Sequence, residues 1–154
     1  MPKEPRLDAV NTQLLTELVA NPRLSMSELA RRVGMSAPAV TERVQRLEAT
    51  GVITGYRLDV DPTALGMPVT AWVRLRPGPG QLPKIAQVAR ETPQVAECHR
   101  ITGEDCFLLK VHAPTIAALE EILDRFLLFG QTTTSIVVST PVPPRALPLP
   151  VPDI

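Results

Sequence analysis

The chain has few aromatic residues, no net charge and no long apolar run. Aromatics make up 3% of its 154 positions, so a core must be built from aliphatic side chains. Lysine plus arginine number 16 and aspartate plus glutamate 16, a formal charge of zero. That excludes the whole-chain basic signature of many nucleic-acid binders, but not a local patch. No stretch reaches the roughly 18 apolar residues needed to span a bilayer. The opening MPKEPRLDAV lacks the apolar run of a signal peptide. The expectation is a cytoplasmic protein with no membrane partner. Cysteine is limited to Cys98 and Cys106, which in that compartment read as free, buried thiols rather than a disulfide. No Gly-rich phosphate loop or nucleophile elbow occurs.

What is present divides into two halves. Hydrophobic residues make up 44% of the chain, enough to bury a real core. The first half reads as three short helices. Asp8 is placed to cap the first, and Leu14, Leu15, Leu18 and Val19 form its apolar face. Asn21-Pro22 ends it, because a proline disfavours helical geometry in the residue before it. Ser25 and Glu28 have capping-box spacing, and Leu24 and Leu29 that of a hydrophobic staple. Leu29, Ala30 and Val33 line the buried side of this second helix, and Gly34 supplies a tight turn. Ser36 caps the third helix, with Pro38 tolerated in its first turn. Val40, Val44 and Leu47 lie on one face at i, i+4 and i+7. Gly51 closes the helix, and VITGYRLDVD (52–61) reads as a small hairpin, a wing turning at Gly55.

Two helices joined by a short Gly-containing turn, after a packing helix, form a helix-turn-helix. The second helix of such a pair enters the major groove of double-stranded DNA. From Arg23 to Arg57 there are six arginines against three glutamates, which leaves a local charge of +3 in a neutral chain. Phosphate contacts need such an excess. Away from the apolar face the third helix carries Thr41, Glu42, Gln45 and Arg46, with Arg43 nearby.

DPTALGMP (61–68) is a connector broken by Pro62, Gly66 and Pro68. The period then changes. Strands are predicted at 69–76, 94–102, 106–113 and 132–140, and helices at 81–92 and 115–128. The first helix turns Ile85, Val88 and Ala89 to one side, and the second Ile116, Leu119, Leu123 and Phe126. PGPG (77–80) and GED (103–105) are loops. The order βαββαβ is the ferredoxin-like arrangement. The overall class is therefore α+β, a winged helix-turn-helix followed by a ferredoxin-like domain. Predicted boundaries are 1–60 for DNA binding, 61–68 for the linker, 69–140 for the second domain and 141–154 for a proline-rich tail. Phe107, Leu109 and Val111 point to one sheet face and Cys106 and Leu108 to the other, with Trp72 opposite Ala71 and Val73. A sheet apolar on the face its helices leave uncovered needs a partner, so at least a homodimer is expected. The tail holds six prolines in 14 residues and should be extended or disordered.

Over about residues 6–140 the sequence resembles the Lrp/AsnC, or feast/famine, transcriptional regulators. The stretches that carry the resemblance are LSMSELARRVGMSAPAVTERVQRLEATGVITGY, VDPTALG, AECHRITGEDCFLLKV and TTTSIV. It implies an N-terminal DNA-binding domain and a C-terminal domain for oligomerisation and small-molecule sensing. Dimers form through the sheets and assemble into tetramers or octamers, and the effector is commonly an amino acid bound between subunits. Ser36, Pro38, Thr41, Glu42, Arg43 and Arg46 fall on the family's recognition helix. Arg43 suits bidentate binding of guanine, and Arg31, Arg46 and Arg57 suit phosphate contacts. Gly103, Asp105 and Cys106 fall in the family's effector loop, and Thr133, Thr134 and Ser135 supply hydroxyls near the opposite subunit's loop. The common pattern is Thr-Gly-x-x-Asp-aromatic. Here the acid stands one residue earlier, at Asp105, and Cys106 occupies its usual place.

Two other readings compete. One is an architectural DNA binder without an effector. The other is an enzyme resembling haem-precursor decarboxylases, in which histidines matter. His99 and His112 lie on neighbouring strands, but no base or nucleophile partner stands out. Cys98 and His99 point to opposite sheet faces, which disfavours a metal site built with Cys106. No catalytic set, cofactor or metal is expected.

Overall fold

The computed structural model describes residues 7–150. The first six residues of the expected 1–60 domain and the last four of the 141–154 tail lie outside the described residues. The chain forms two compact units, one of residues up to Leu58 with the tail from Val142, the other Asp59–Pro141.

The first unit holds α1 (Ala9–Ala20), α2 (Met26–Val33) and α3 (Ala37–Ala49). Each helix starts at a side-chain cap. Asp8 accepts a hydrogen bond from the Asn11 amide at 2.7 Å, Ser25 from Glu28 at 3.2 Å and Ser36 from Ala39 at 3.4 Å. Such caps satisfy amides that have no partner within the helix. Only half of the expected capping box forms, because the Glu28 carboxylate pairs with Arg31 and Arg32. Leu14, Leu18, Leu29, Ala30, Val40 and Val44 form the core, with Leu24, Val33 and Ile53 packed against it. Val19 is 51% exposed, contrary to its expected place in the apolar face. At 100° per residue it turns past the stripe that Leu14, Leu15 and Leu18 occupy.

The wing expected at 52–61 is absent. After Gly51 (φ 74°) the amides of Val52 and Ile53 both donate to the Leu47 carbonyl. Ile53 joins the helical core, and the Tyr56 hydroxyl donates to the Glu48 carboxylate at 2.9 Å. The first half of the would-be hairpin is thus held against α3, and residues 54–61 form no strand. A lone two-stranded hairpin is marginal in water and does not compete with those contacts.

The second unit holds β1 (Val69–Pro77), α4 (Leu82–Glu91), β2 (Val95–Arg100), β3 (Phe107–Ala113), α5 (Ile116–Leu127) and β4 (Gly130–Ile136). The sheet order is β2-β3-β1-β4, and every pairing is antiparallel. Ala71, Val73, Leu75, Phe107, Leu109 and Val111 bury one face against Ile85, Ala89, Leu119, Ile122 and Phe126. The last strand starts and ends earlier than the predicted 132–140. Its ladder on β1 runs from Gly130 opposite Pro77 to Ile136 opposite Ala71, where β1 is nearly exhausted. Ile116 is 59% exposed, and Ile122 takes the inward position expected of it. As the first residue of α5, Ile116 leans past the helix end, because helical side chains tilt towards the N-terminus.

The uncovered sheet face is more polar than expected. Trp72 and Leu108 lie there half-buried, but the next outward positions of β3 are Lys110 and His112. Lys110 pairs with Glu97 at 3.3 Å and stands 5.7 Å from the Trp72 ring centre. His99 meets Glu97 at 3.1 Å, and His112 meets the Thr70 hydroxyl at 2.9 Å. The apolar alternation of β3 stops at Leu108, so this face alone gives a weaker case for a partner than the pattern suggested. Both cysteines are free thiols, as expected, but Cys98 is exposed and Cys106 only half-buried. Among the described residues no helix is long and apolar enough to cross a membrane.

Candidate DNA interface and effector loop

The α2–α3 turn sets the first site. Gly34 adopts the left-handed conformation (φ 68°), which costs glycine nothing and most residues much. The Met35 amide returns to the Ala30 carbonyl at 3.0 Å, and Ser36 then opens α3. Burial of Val40, Val44 and Leu47 turns Pro38, Glu42, Gln45 and Arg46 outward. Thr41 and Arg43 lie on the two flanks, half-buried. The Thr41 hydroxyl donates to the Ala37 carbonyl at 2.8 Å.

Most of the arginines expected to meet DNA hold acids. Arg46 pairs with Glu42 at 3.2 Å along the exposed face. Arg31 pairs with Glu28, and Arg32 bridges Glu28 at 3.1 Å and Glu17 at 2.8 Å. Arg32 and then Arg31 hold the Glu28 carboxyl below its usual range. Arg43 is tied to α1 through Asp8 at 2.8 Å and Asn11 at 3.0 Å. Its guanidinium holds the Asp8 carboxyl below the usual value, assisted by the Asn11 amide. Arg57 is exposed in the irregular segment that replaces the wing. A cleft of about 590 Å³ runs between the start of α1 and the flank of α3, lined in part by Asp8, Asn11, Met35, Glu42, Arg43 and Arg46. Exposed ion pairs contribute little to stability, so these guanidiniums can leave their carboxylates at low cost.

The second site is the loop between β2 and β3. Gly103 has φ 106°, and the Ile101 amide closes the loop on the Cys106 carbonyl at 2.9 Å. The Cys106 thiol approaches the Gly103 carbonyl at 3.5 Å. Asp105 is drawn to the end of β1, where Arg76 Nε lies 3.7 Å from its Oδ1 while Arg76 Nη2 pairs with Glu104. Within one chain the expected hydroxyls do not converge on this loop. Thr133 and Ser135 lie opposite Arg74 and Trp72, on the uncovered face. Thr134 lies opposite Val73, on the helix-covered face. Arg76 escaped the sequence reading. It is 28 positions from Glu104, and only the β1–β3 register brings them together.

Comparison with known proteins matches both domains. Residues 7–48 match the AsnC-type helix-turn-helix domain, and residues 69–147 match the Lrp/AsnC ligand binding domain. The transcriptional regulator LrpC of Bacillus subtilis is 34% identical over 134 residues, 87% of this chain and 93% of the relative. Its solved structure superimposes with a TM-score of 0.82, covering 88% of this chain and 96% of that one. The feast or famine regulatory protein of M. tuberculosis complexed with L-methionine is 33% identical, with a TM-score of 0.86 over 94% of this chain and 99% of its own. The leucine-responsive regulatory protein of Escherichia coli is 32% identical over 79% of this chain and 76% of its own. With a helix-turn-helix that exposes one face of its second helix, and a ligand-binding domain on a four-stranded antiparallel sheet, this chain belongs to the Lrp/AsnC family of transcriptional regulators.

Proposed function

We propose that this chain binds operator DNA through the N-terminal half of α3 and that a free amino acid, held at the Gly103–Cys106 loop, tunes that binding through subunit assembly. The observation that carries the DNA reading is the outward face of α3, where Pro38, Glu42 and Arg46 stand exposed beyond the Gly34 turn. Ser36 and Thr41 lie at the same end of the helix. Arg43 is assigned to base contact, and Arg31, Arg46 and Arg57 to phosphates. Gln45, on the same exposed face, has the amide geometry that reads adenine.

The effector reading rests on the loop acids and on the L-methionine complex of the M. tuberculosis relative. Asp105 is assigned to the ligand's ammonium group, with Gly103 and Cys106 shaping the loop. Thr133, Thr134 and Ser135 are assigned to a neighbouring subunit's site. A homodimer presents two α3 helices to half-sites roughly 34 Å apart, and further assembly holds more half-sites together. Effector and DNA affinities are then coupled reciprocally.

Fluorescence anisotropy on the gene's own upstream DNA, with and without a mixture of the twenty amino acids, tests this. Tight, salt-sensitive binding that shifts with the mixture is expected, and Asp105→Ala should remove the shift while leaving DNA binding intact. Binding indifferent to the mixture would favour an architectural role instead.

A further inference from the structure

A free amino acid is a zwitterion. A site that selects it over an amine or an amide pairs the ammonium group with an acid and gives the carboxylate a cation or a set of N–H donors. The loop supplies acids in Glu104 and Asp105, but it contains no cation of its own. The cation that reaches it is Arg76, from the end of β1.

Three features suit Arg76 to that role. Its backbone is fixed. Gly130 stands beside it so closely that a Cβ there would lie 2.3 Å from the Arg76 carbonyl oxygen, and Pro77 follows it directly. Its guanidinium is only partly used. Nη2 meets Glu104 and Nε meets Asp105, while Nη1 has no partner among the described residues. Arginine presents its donors as a planar fork that takes a carboxylate in a bidentate manner. Finally, its hold on the loop is weak where it matters. The Asp105 contact is 3.7 Å long and the Arg76 side chain is 51% exposed, so an incoming ammonium group displaces it at small cost.

We infer that Arg76 is the carboxylate-recognising residue of the effector site, and that in the ligand-free chain it serves as a latch on Glu104 and Asp105. When the ligand's ammonium group takes Asp105, the guanidinium turns from that acid to the ligand's carboxylate. The ligand class is then an α-amino acid with a free carboxylate. This inference rests on the Gly103–Cys106 loop being the effector site.

The test is calorimetric titration of the full-length protein with each of the twenty free L-amino acids, and of the best binder's carboxamide. The wild type should prefer the acid by about tenfold or more, the worth of a charge-assisted hydrogen-bond pair. Arg76→Gln should abolish that preference, weakening the acid while changing the amide by less than about twofold. Arg76→Lys keeps the charge without the fork and should restore the preference only in part. Asp105→Asn should weaken acid and amide alike. Equal losses of acid and amide in Arg76→Gln, or no loss of either, would overturn the role of Arg76 while leaving the loop as the effector site. Failure of every amino acid to bind the wild type, or undiminished binding to Asp105→Asn, would remove the loop reading and this inference with it.

Discussion

Arg43 of α3 and Asp8, the cap of α1, are joined at 2.8 Å across 35 positions of sequence. The contact links α3, the helix proposed to face DNA, to α1. It also sets up a competition: for Arg43 to reach a guanine edge, as proposed, its guanidinium must first release Asp8.

Asp8→Asn separates the two roles. Asparagine caps a helix as well as aspartate does, so the loss is limited to a surface ion pair, about 1 kcal/mol or less. Freed from Asp8, Arg43 should bind DNA more tightly, which anisotropy on operator and random duplexes will show. Arg43→Ala should cost on the order of 1–3 kcal/mol on the operator and relax specificity. Equal losses on operator and random DNA would remove Arg43 from base contact.

Arg46 is expected to behave differently. It is 73% exposed, and among the described residues its only ion pair is with Glu42 one turn away. Arg46→Ala should weaken all duplexes alike and reduce the log–log salt slope by about 1. A sequence-dependent loss would move Arg46 from the phosphates to the bases.

Thr12 is buried in α1, and its hydroxyl has no hydrogen-bond partner among the described residues. A buried unsatisfied polar group is costly. Thr12→Val should therefore stabilise the helical unit by on the order of 1 kcal/mol, measured by denaturant titration followed by circular dichroism. Destabilisation would mean that the hydroxyl is satisfied in solution.

Gly130 is held to glycine by space. Gly130→Ala forces a methyl group against the Arg76 carbonyl and the Leu75 side chain. The β1–β4 ladder must then shift, at about 2–3 kcal/mol. The melting temperature of the ligand-binding unit should fall by roughly 10 °C or more. An unchanged melting temperature would show that this end of the ladder yields freely.

Acid should destabilise the fold in two steps. Burial first, and then Lys110, lower the His112 pKa below the usual 6.5. Between the folded value and 6.5 the unfolded chain binds more protons. Stability from this residue is therefore full above that range and falls as pH drops into it. Asp8, Glu28 and Glu97, all held below their usual values by their partners, lose their contributions only at lower pH. His112→Asn should flatten the change in melting temperature between about pH 7.5 and 5.5. An undiminished change would assign the upper step elsewhere.

Helix caps and turns were legible because they are local. Asp8, Ser25, Ser36, Gly34 and Gly51 each act on residues within a few positions, and the structure places each where its neighbours required. The βαββαβ order was equally legible, since the apolar period changes at each boundary. The family motif marked the candidate effector loop for the same reason, as a contiguous stretch.

Tertiary structure decided what depends on competition between distant groups. The hairpin pattern at 52–61 was real as a pattern, but Ile53 and Tyr56 find better partners on the helical core and on Glu48. The uncovered face of the sheet read as apolar from Trp72, Cys106 and Leu108, yet Lys110 and His112 follow on that side of β3, and the register sets Glu97 and His99 of β2 opposite Lys110 and Leu108. Arg76 meets Glu104 and Asp105 only because β1 and β3 pair with Leu75 opposite Phe107. By itself the sequence determined the elements and their order, through periodicity and capping that act within a turn or a strand. Which charges meet across them was left to the register and the packed core, because those contacts join residues tens of positions apart.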